Sequence, residues 1–241
     1  MARRFLLRCV FALLLDGTAG HADGTNDCLN ADPFANPVTA AQACQTAAAS
    51  EADPVQRAAL LENLGVAERE LGHLEDSKAA LILALSLDAG NPSIMHQLGW
   101  THRQSGDYPA AERLLRRAAD LHAFGQVSLA LCVVLQDQGK FADSVAPCQQ
   151  ALADAGPNPD TSFFTALAYN QTGQAADAWE TASQGMALSD PGARMYEEAA
   201  RAAWTLGNHP AAREAVERGL QRYPLNQLLV QRMLHFPMFD Y

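Results

Sequence analysis

The chain has 241 residues, 49% of them hydrophobic and only 7% aromatic, a composition that suits closely packed helices better than β-sheet. Its formal charge is −10, and it lacks the basic stripe that grips phosphate backbones, so nucleic acid is excluded as the expected partner. The local cluster Arg113, Arg116 and Arg117 has the i, i+3, i+4 spacing of a solvated helix face.

In chain order, Arg3 and Arg4 precede a short apolar run from Phe5 to Leu15, and small residues lead to a cut after Ala22 with Gly20 three places before it. This is the pattern of a secretory signal peptide over residues 1–22, which places the chain in the periplasm or outside the cell. Arg8 interrupts the run, so an amphipathic N-terminal helix on a cytosolic chain is the other reading. Arg8 also stands where a lipidated Cys9 would need a small neighbour, which rejects a lipoprotein site. No other apolar run is long enough to cross a bilayer, so no integral membrane segment is expected after signal removal.

Residues 23–57 read as an N-terminal arm followed by a lone capping helix, Val38 to Ser50 after Pro37, with Asp53-Pro54 opening the next region. Residues 58–226 then carry a period. Gly72, Gly106, Gly139, Gly173 and Gly207 lie 34, 33, 34 and 34 residues apart, each between two helical patterns, as where a helix ends in a left-handed residue. Small residues recur five places after each glycine, at Ser77, Ala111, Ser144, Ala178 and Ala212, where two helices must approach closely. Residues 227–241 close the chain, the helical pattern of "LNQLLVQRMLHF" stopping at Pro237. The aromatic end "FPMFDY" is either packed on the last repeat or a docking tag.

On these residues the chain resembles the tetratricopeptide repeat family. Residues 63–85, "NLGVAERELGHLEDSKAALILAL", and 97–119, "QLGWTHRQSGDYPAAERLLRRAA", carry its Leu-Gly pair, its corner glycine, and a bulky residue two places later. Residues 131–152 keep the pattern with Cys132 for the first glycine. Residues 165–188 and 199–220 have Thr165-Ala166 and Ala199-Ala200 at the Leu-Gly positions. Pro224 stands where the family often places its inter-repeat proline. Departures are Gly185 and Gly219 in place of alanine, and Pro147 inside a second helix, where a kink is expected. The resemblance implies an all-α fold, a right-handed α-solenoid of about five helix-turn-helix repeats with capping helices at both ends.

An exported chain cut after Ala22 keeps four cysteines, Cys28, Cys44, Cys132 and Cys148, with three possible connectivities. Cys132 precedes the third corner, near Lys140, by eight residues and Cys148 follows it by eight, so antiparallel helices bring both thiols to one height. Cys28 and Cys44 repeat that spacing about Asn36. Disulfides within these pairs compete with a reading of all four as small buried apolar residues.

The resemblance also implies that first-helix positions five, nine and twelve face a concave groove. These are Glu62, Val66 and Arg69; His96, Trp100 and Arg103; Leu129, Val133 and Gln136; Phe163, Leu167 and Asn170; and Glu197, Arg201 and Trp204. Relatives that clamp a C-terminal carboxylate use lysine and asparagine where this chain has Glu62, His96, Val66 and Trp100, so that activity is not expected. Ordinary packing competes with ligand contact for Trp100 and Trp204.

No catalytic, metal or cofactor constellation stands out. The histidines at 73, 96, 102, 122, 209 and 235 are scattered, and no CxxC, phosphate loop or GxSxG occurs. Glu68, Glu70, Glu197 and Glu198 read as solvated helix acids. An enzyme would need residues assembled across repeats. The expected function is therefore a non-enzymatic adaptor without cofactor, holding a protein or peptide partner in cell-envelope assembly or secretion. The alternative is a structural periplasmic part of a polysaccharide-export or outer-membrane complex.

Overall fold

A computed structural model of the chain describes residues 24–121 and 125–227. The expected signal peptide, and the closing helix and aromatic tail from residue 228 on, lie outside the described residues. Among those residues every regular element is a helix. The chain falls into two compact units, Met1–Leu121 and His122–Tyr241.

The first unit holds α1 (24–30), α2 (Pro37–Ser50), α3 (Pro54–Glu70), α4 (Leu74–Leu87), α5 (Pro92–Gln104) and α6 (Tyr108–Leu121). Three of the first helices in the two units begin alike, with an Asx side chain capping the free amides and proline at the first helical position. In α3 the Asp53 carboxylate accepts from the amides of Val55 and Gln56; in α5 Asn91 does the same for Ser93 and Ile94. The helices stack in sequential order, α2 on α3, α3 on α4, α4 on α5 and α5 on α6, and α3 also lies against α5. Cys28, Cys44, Leu60, Leu61, Leu81, Ile94 and Leu98 belong to one buried cluster between them.

The second unit holds α7 (Gly125–Asp137), α8 (Phe141–Ala155), α9 (Pro159–Gln171), α10 (Ala175–Met186), α11 (Ala193–Thr205) and α12 (His209–Arg222). Neighbours again pack in chain order, with α9 against both α7 and α11. Small side chains dominate the core of its last two hairpins, where Ala166, Ala182, Ala199, Ala200, Ala203, Ala212 and Ala215 surround Met195, Tyr196 and Val216. Helix α8 continues through Pro147 to Ala155.

All five corner glycines have positive φ, from 71° at Gly139 to 82° at Gly72. The amide after each glycine reaches a carbonyl five residues back, as from Asp107 to His102 at 2.9 Å and from Lys140 to Leu135 at 2.8 Å. This closes the first helix and turns the chain into the second.

Each hairpin is locked by one buried pair sixteen residues apart. A Cβ added to Gly65 would sit 2.4 Å from Leu81 Cγ, and one added to Gly99 would sit 2.9 Å from Leu115 Cγ. The glycines of the Leu-Gly motif thus make room for a leucine from the second helix. Ala166 with Ala182 and Ala200 with Val216 occupy the same places in the last two hairpins, all fully buried. In the third hairpin the pair is a disulfide, Cys132–Cys148, with Cα atoms 5.1 Å apart. A second disulfide, Cys28–Cys44, joins α1 to α2 with Cα atoms 4.6 Å apart. The capping helix is therefore not alone: α1 precedes it and is bonded to it.

Candidate functional site

In the first unit, positions five, nine and twelve lie on α3 and α5. Glu62 on α3 accepts a hydrogen bond from the Ser93 hydroxyl on α5. Burial pushes its carboxyl above the usual carboxylate range, Asp88 adding to the rise while the Ser93 bond opposes it. Val66 is buried. Arg69 is 7% exposed; its Nη1 donates to the Gln97 side-chain oxygen at 2.9 Å and to the Gln97 carbonyl at 3.4 Å, while its Nε pairs with Glu70 at 3.2 Å.

Trp100 is half-buried and held from two sides. Its indole Nε1 donates to His96 Nε2 at 2.8 Å, and the Arg103 guanidinium lies 4.8 Å from its ring centroid. Accepting at Nε2 requires the neutral imidazole with its proton on Nδ1. Burial, followed by the nearby Arg69 charge, lowers the His96 pKa to about 4, which keeps it neutral.

In the second unit the same positions split into buried and half-buried sets. Val133, Gln136 and Phe163 are buried, whereas Leu129, Leu167, Asn170, Glu197, Arg201 and Trp204 are half-buried. The Gln136 amide donates to the Phe164 carbonyl on α9 at 2.8 Å and rests 3.4 Å from Cys148 Sγ. Asn170 donates to the Glu198 carbonyl at 3.0 Å and to its carboxylate at 2.8 Å. Glu198, expected to be solvated, is 3% exposed; Arg201 lies 3.5 Å from it and 3.6 Å from Glu197. Arg194 stacks over Phe163 at 4.0 Å, and the Trp204 and His209 rings are 4.2 Å apart.

Two contacts recur that residue type alone does not reveal. Position twelve donates to the main-chain carbonyl of the residue 28 places on, seen at Arg69, Gln136 and Asn170. Position two of the next first helix reaches position five, 31 residues back, seen as Ser93 on Glu62 and Arg194 on Phe163. Arg69, Gln136 and Asn170 therefore hold adjacent first helices together. Gln97, Phe164 and Glu198 accept from them, and Ser93 and Arg194 complete the set. Sequence reading misses these five residues, although one repeat period less six or three residues locates them.

Glu68, His73 and Asp76 bring their ligand atoms within 4.8 Å of one another at the first corner. Glu68 and His73 form a 2.8 Å pair there, and the second corner repeats it in reversed order, with His102 3.4 Å from Asp107. The recurrence marks this pair as a strap across the corner.

The tetratricopeptide repeat family model matches residues 58–91 and again residues 93–123. No curated protein matches the sequence. Solved structures are similar in fold. PilF of Pseudomonas aeruginosa shares 15% identity with a TM-score of 0.75, over 90% of this chain and 97% of its own. YrrB, described as a tetratricopeptide protein with an unusual peptide-binding site, shares 16% identity with a TM-score of 0.69, over 80% of this chain and 99% of its own. MamA of Desulfovibrio magneticus RS-1 shares 16% identity with a TM-score of 0.63, over 70% of this chain and 97% of its own. With its corners, its Gly–Leu locks and these matches together, residues 58–123 are tetratricopeptide repeats, and the described residues share the all-α fold of that family.

Proposed function

We propose that the protein is a non-catalytic scaffold that holds a polypeptide segment against its first helices, in cell-envelope assembly or secretion. The observation that carries this reading is Trp100. It is fixed by His96 at its edge and Arg103 over its face while part of its surface stays open. An immobilised, partly exposed aromatic offers a large contact area at little further cost in side-chain entropy, as residues that dominate binding energy do. A peptide-binding site described for the similarly folded YrrB supports the same reading. The neutral His96 leaves Arg103, over the Trp100 ring, and Arg69, whose charge acts on His96, as charges beside an uncharged anchor.

The two disulfides support an oxidising compartment, since glutathione and thioredoxin keep cytosolic thiols reduced. Among the described residues no helix is long and apolar enough to cross a membrane. A periplasmic or secreted scaffold cut after Ala22 fits both.

The test selects peptides from a random library on the oxidised protein and measures their affinity by fluorescence anisotropy. Trp100→Ala should weaken the selected peptides about thirtyfold, while Ile82→Ala, at an exposed position on α4, should leave them unchanged. Equal affinity for wild type and Trp100→Ala, or a library yielding no binder, overturns the reading. Fusion of residues 1–30 to alkaline phosphatase, active only after export, tests the compartment.

A further inference from the structure

We infer that the corner between α3 and α4 is a binding site for a divalent transition-metal ion of the zinc class, held by Glu68, His73 and Asp76. Each residue offers one donor atom there, a ring nitrogen from the histidine and an oxygen from each carboxylate, all within 4.8 Å of one another. Glu68 belongs to the last turn of α3, His73 is the N-cap of α4, and Asp76 lies in the first turn of α4. The main chain fixes these places. The His73 amide donates to the Glu68 carbonyl at 2.9 Å, and the Ser77 amide donates to the His73 carbonyl at 3.0 Å. An ion entering the corner therefore has only side chains to arrange. Zinc binds imidazole nitrogen and carboxylate oxygen at about 2.0–2.2 Å, which in tetrahedral geometry sets neighbouring donors about 3.3 Å apart. His73 Nδ1 and Glu68 Oε2 are 2.8 Å apart and must open by about 0.5 Å, while Asp76 must close by at most about 1.5 Å. His73 is 57% exposed and Asp76 is exposed, so both have room to turn, and water completes the coordination.

The donor types select the ion. Calcium and magnesium take oxygen ligands alone, whereas an imidazole beside carboxylates suits zinc and its neighbours in the first transition row. The ion takes the place of the proton that His73 and Glu68 share, and the neutral ring keeps its hydrogen on Nε2. Lys78, two residues from Asp76, pairs with Glu75 at 2.6 Å, so its charge is already matched. The other corners serve as comparisons within the same chain. Counted from the corner glycine, the donors stand four places before, one after and four after. The second corner has His102 and Asp107 at the first two places but Ala110 at the third, and the remaining three have at most one carboxylate or imidazole among them. At the second corner the pair is a strap only; at the first, Asp76 turns the strap into a three-donor set. A bound ion would join the last turn of α3 to the first turn of α4, in a hairpin that has no disulfide. The site goes beyond the proposed function and does not depend on it.

The probe is zinc itself, titrated into the oxidised, untagged full chain against a chromophoric chelator. Wild type should bind one ion at this site. Glu68→Gln, His73→Ala and Asp76→Asn should each weaken it at least tenfold, whereas Asp107→Asn, at the corner without a third donor, should bind as wild type does. Calcium at hundredfold excess should not displace the zinc. A second readout needs no variant: in NMR spectra of wild type, zinc should shift the His73 ring signals before those of any other histidine. Failure of wild type to bind zinc, equal affinity in wild type and Asp76→Asn, displacement by calcium, or a different ring shifting first would each overturn the inference.

Discussion

Replacing Cys132 and Cys148 together by alanine gives the third hairpin the residue pair that the fourth already uses, Ala166 with Ala182. The change therefore introduces no unfamiliar packing and no buried hydroxyl, as serine would. What it removes is the covalent closure of a loop whose ends are sixteen residues apart. The chain-entropy relation assigns about 3 kcal/mol at 25 °C to closing a loop of this length. For a unit near 100 residues, each kcal/mol moves the midpoint by roughly 4–8 °C, so the melt of the second unit should fall by about 12–24 °C. The assay is thermal unfolding followed by circular dichroism at 222 nm, comparing wild type, the double variant, and wild type reduced under denaturing conditions and refolded in reductant. The reduced wild type should melt close to the variant. A variant that melts within about 2 °C of oxidised wild type would show that the bond restrains nothing in the unfolded chain, and the reasoning would fail.

Three further outcomes follow from particular contacts. Gly106→Ala places a side chain at φ +79° with no atom within 4 Å of the new Cβ, so backbone strain alone should lower stability by about 1–2 kcal/mol in urea unfolding; an unchanged midpoint would contradict the left-handed corner. Asn170→Ala removes donors from both the carbonyl and the buried carboxylate of Glu198 and should cost about 1.5–3 kcal/mol in the same assay. The His96 ring should titrate near pH 4 by NMR. Because its folded pKa lies below the unfolded value, its contribution to stability is complete above pH 6.5 and declines as pH falls toward 4; a ring midpoint near 6.5 would refute the buried neutral imidazole.

The repeat was legible because its markers are local. A glycine at the corner and a small residue five places later are visible in one sequence, and all five corners fold as that spacing expects. The cysteine pairs were legible for a geometric reason: in an antiparallel hairpin, equal distance from the corner means equal height. Helix α1 was not. Its corner has Ala35 where the other five have glycine, so the marker that announces the other hairpins is missing. The first-helix polar residues were legible in position but not in engagement. Whether Arg69, Gln136 or Asn170 meets a ligand or the next helix depends on how closely those helices approach, which the spacing of residues within one helix cannot say. Phe163 illustrates the same limit: it occupies position five, yet Arg194 covers its ring and its side chain is buried.

The contact from position twelve is asymmetric, with a side chain on one helix and a peptide oxygen on the other. Gln97, Phe164 and Glu198 carry different side chains, yet each receives the bond at its main-chain carbonyl, because every residue supplies that acceptor. At Phe164 the side chain takes no part in the bond, so mutation there is uncoupled from the joint, whereas Gln97 and Glu198 add a side-chain oxygen to it. Hairpins from different proteins could be spliced at such a joint by matching one amide or guanidinium, with the recipient's surface left free to change.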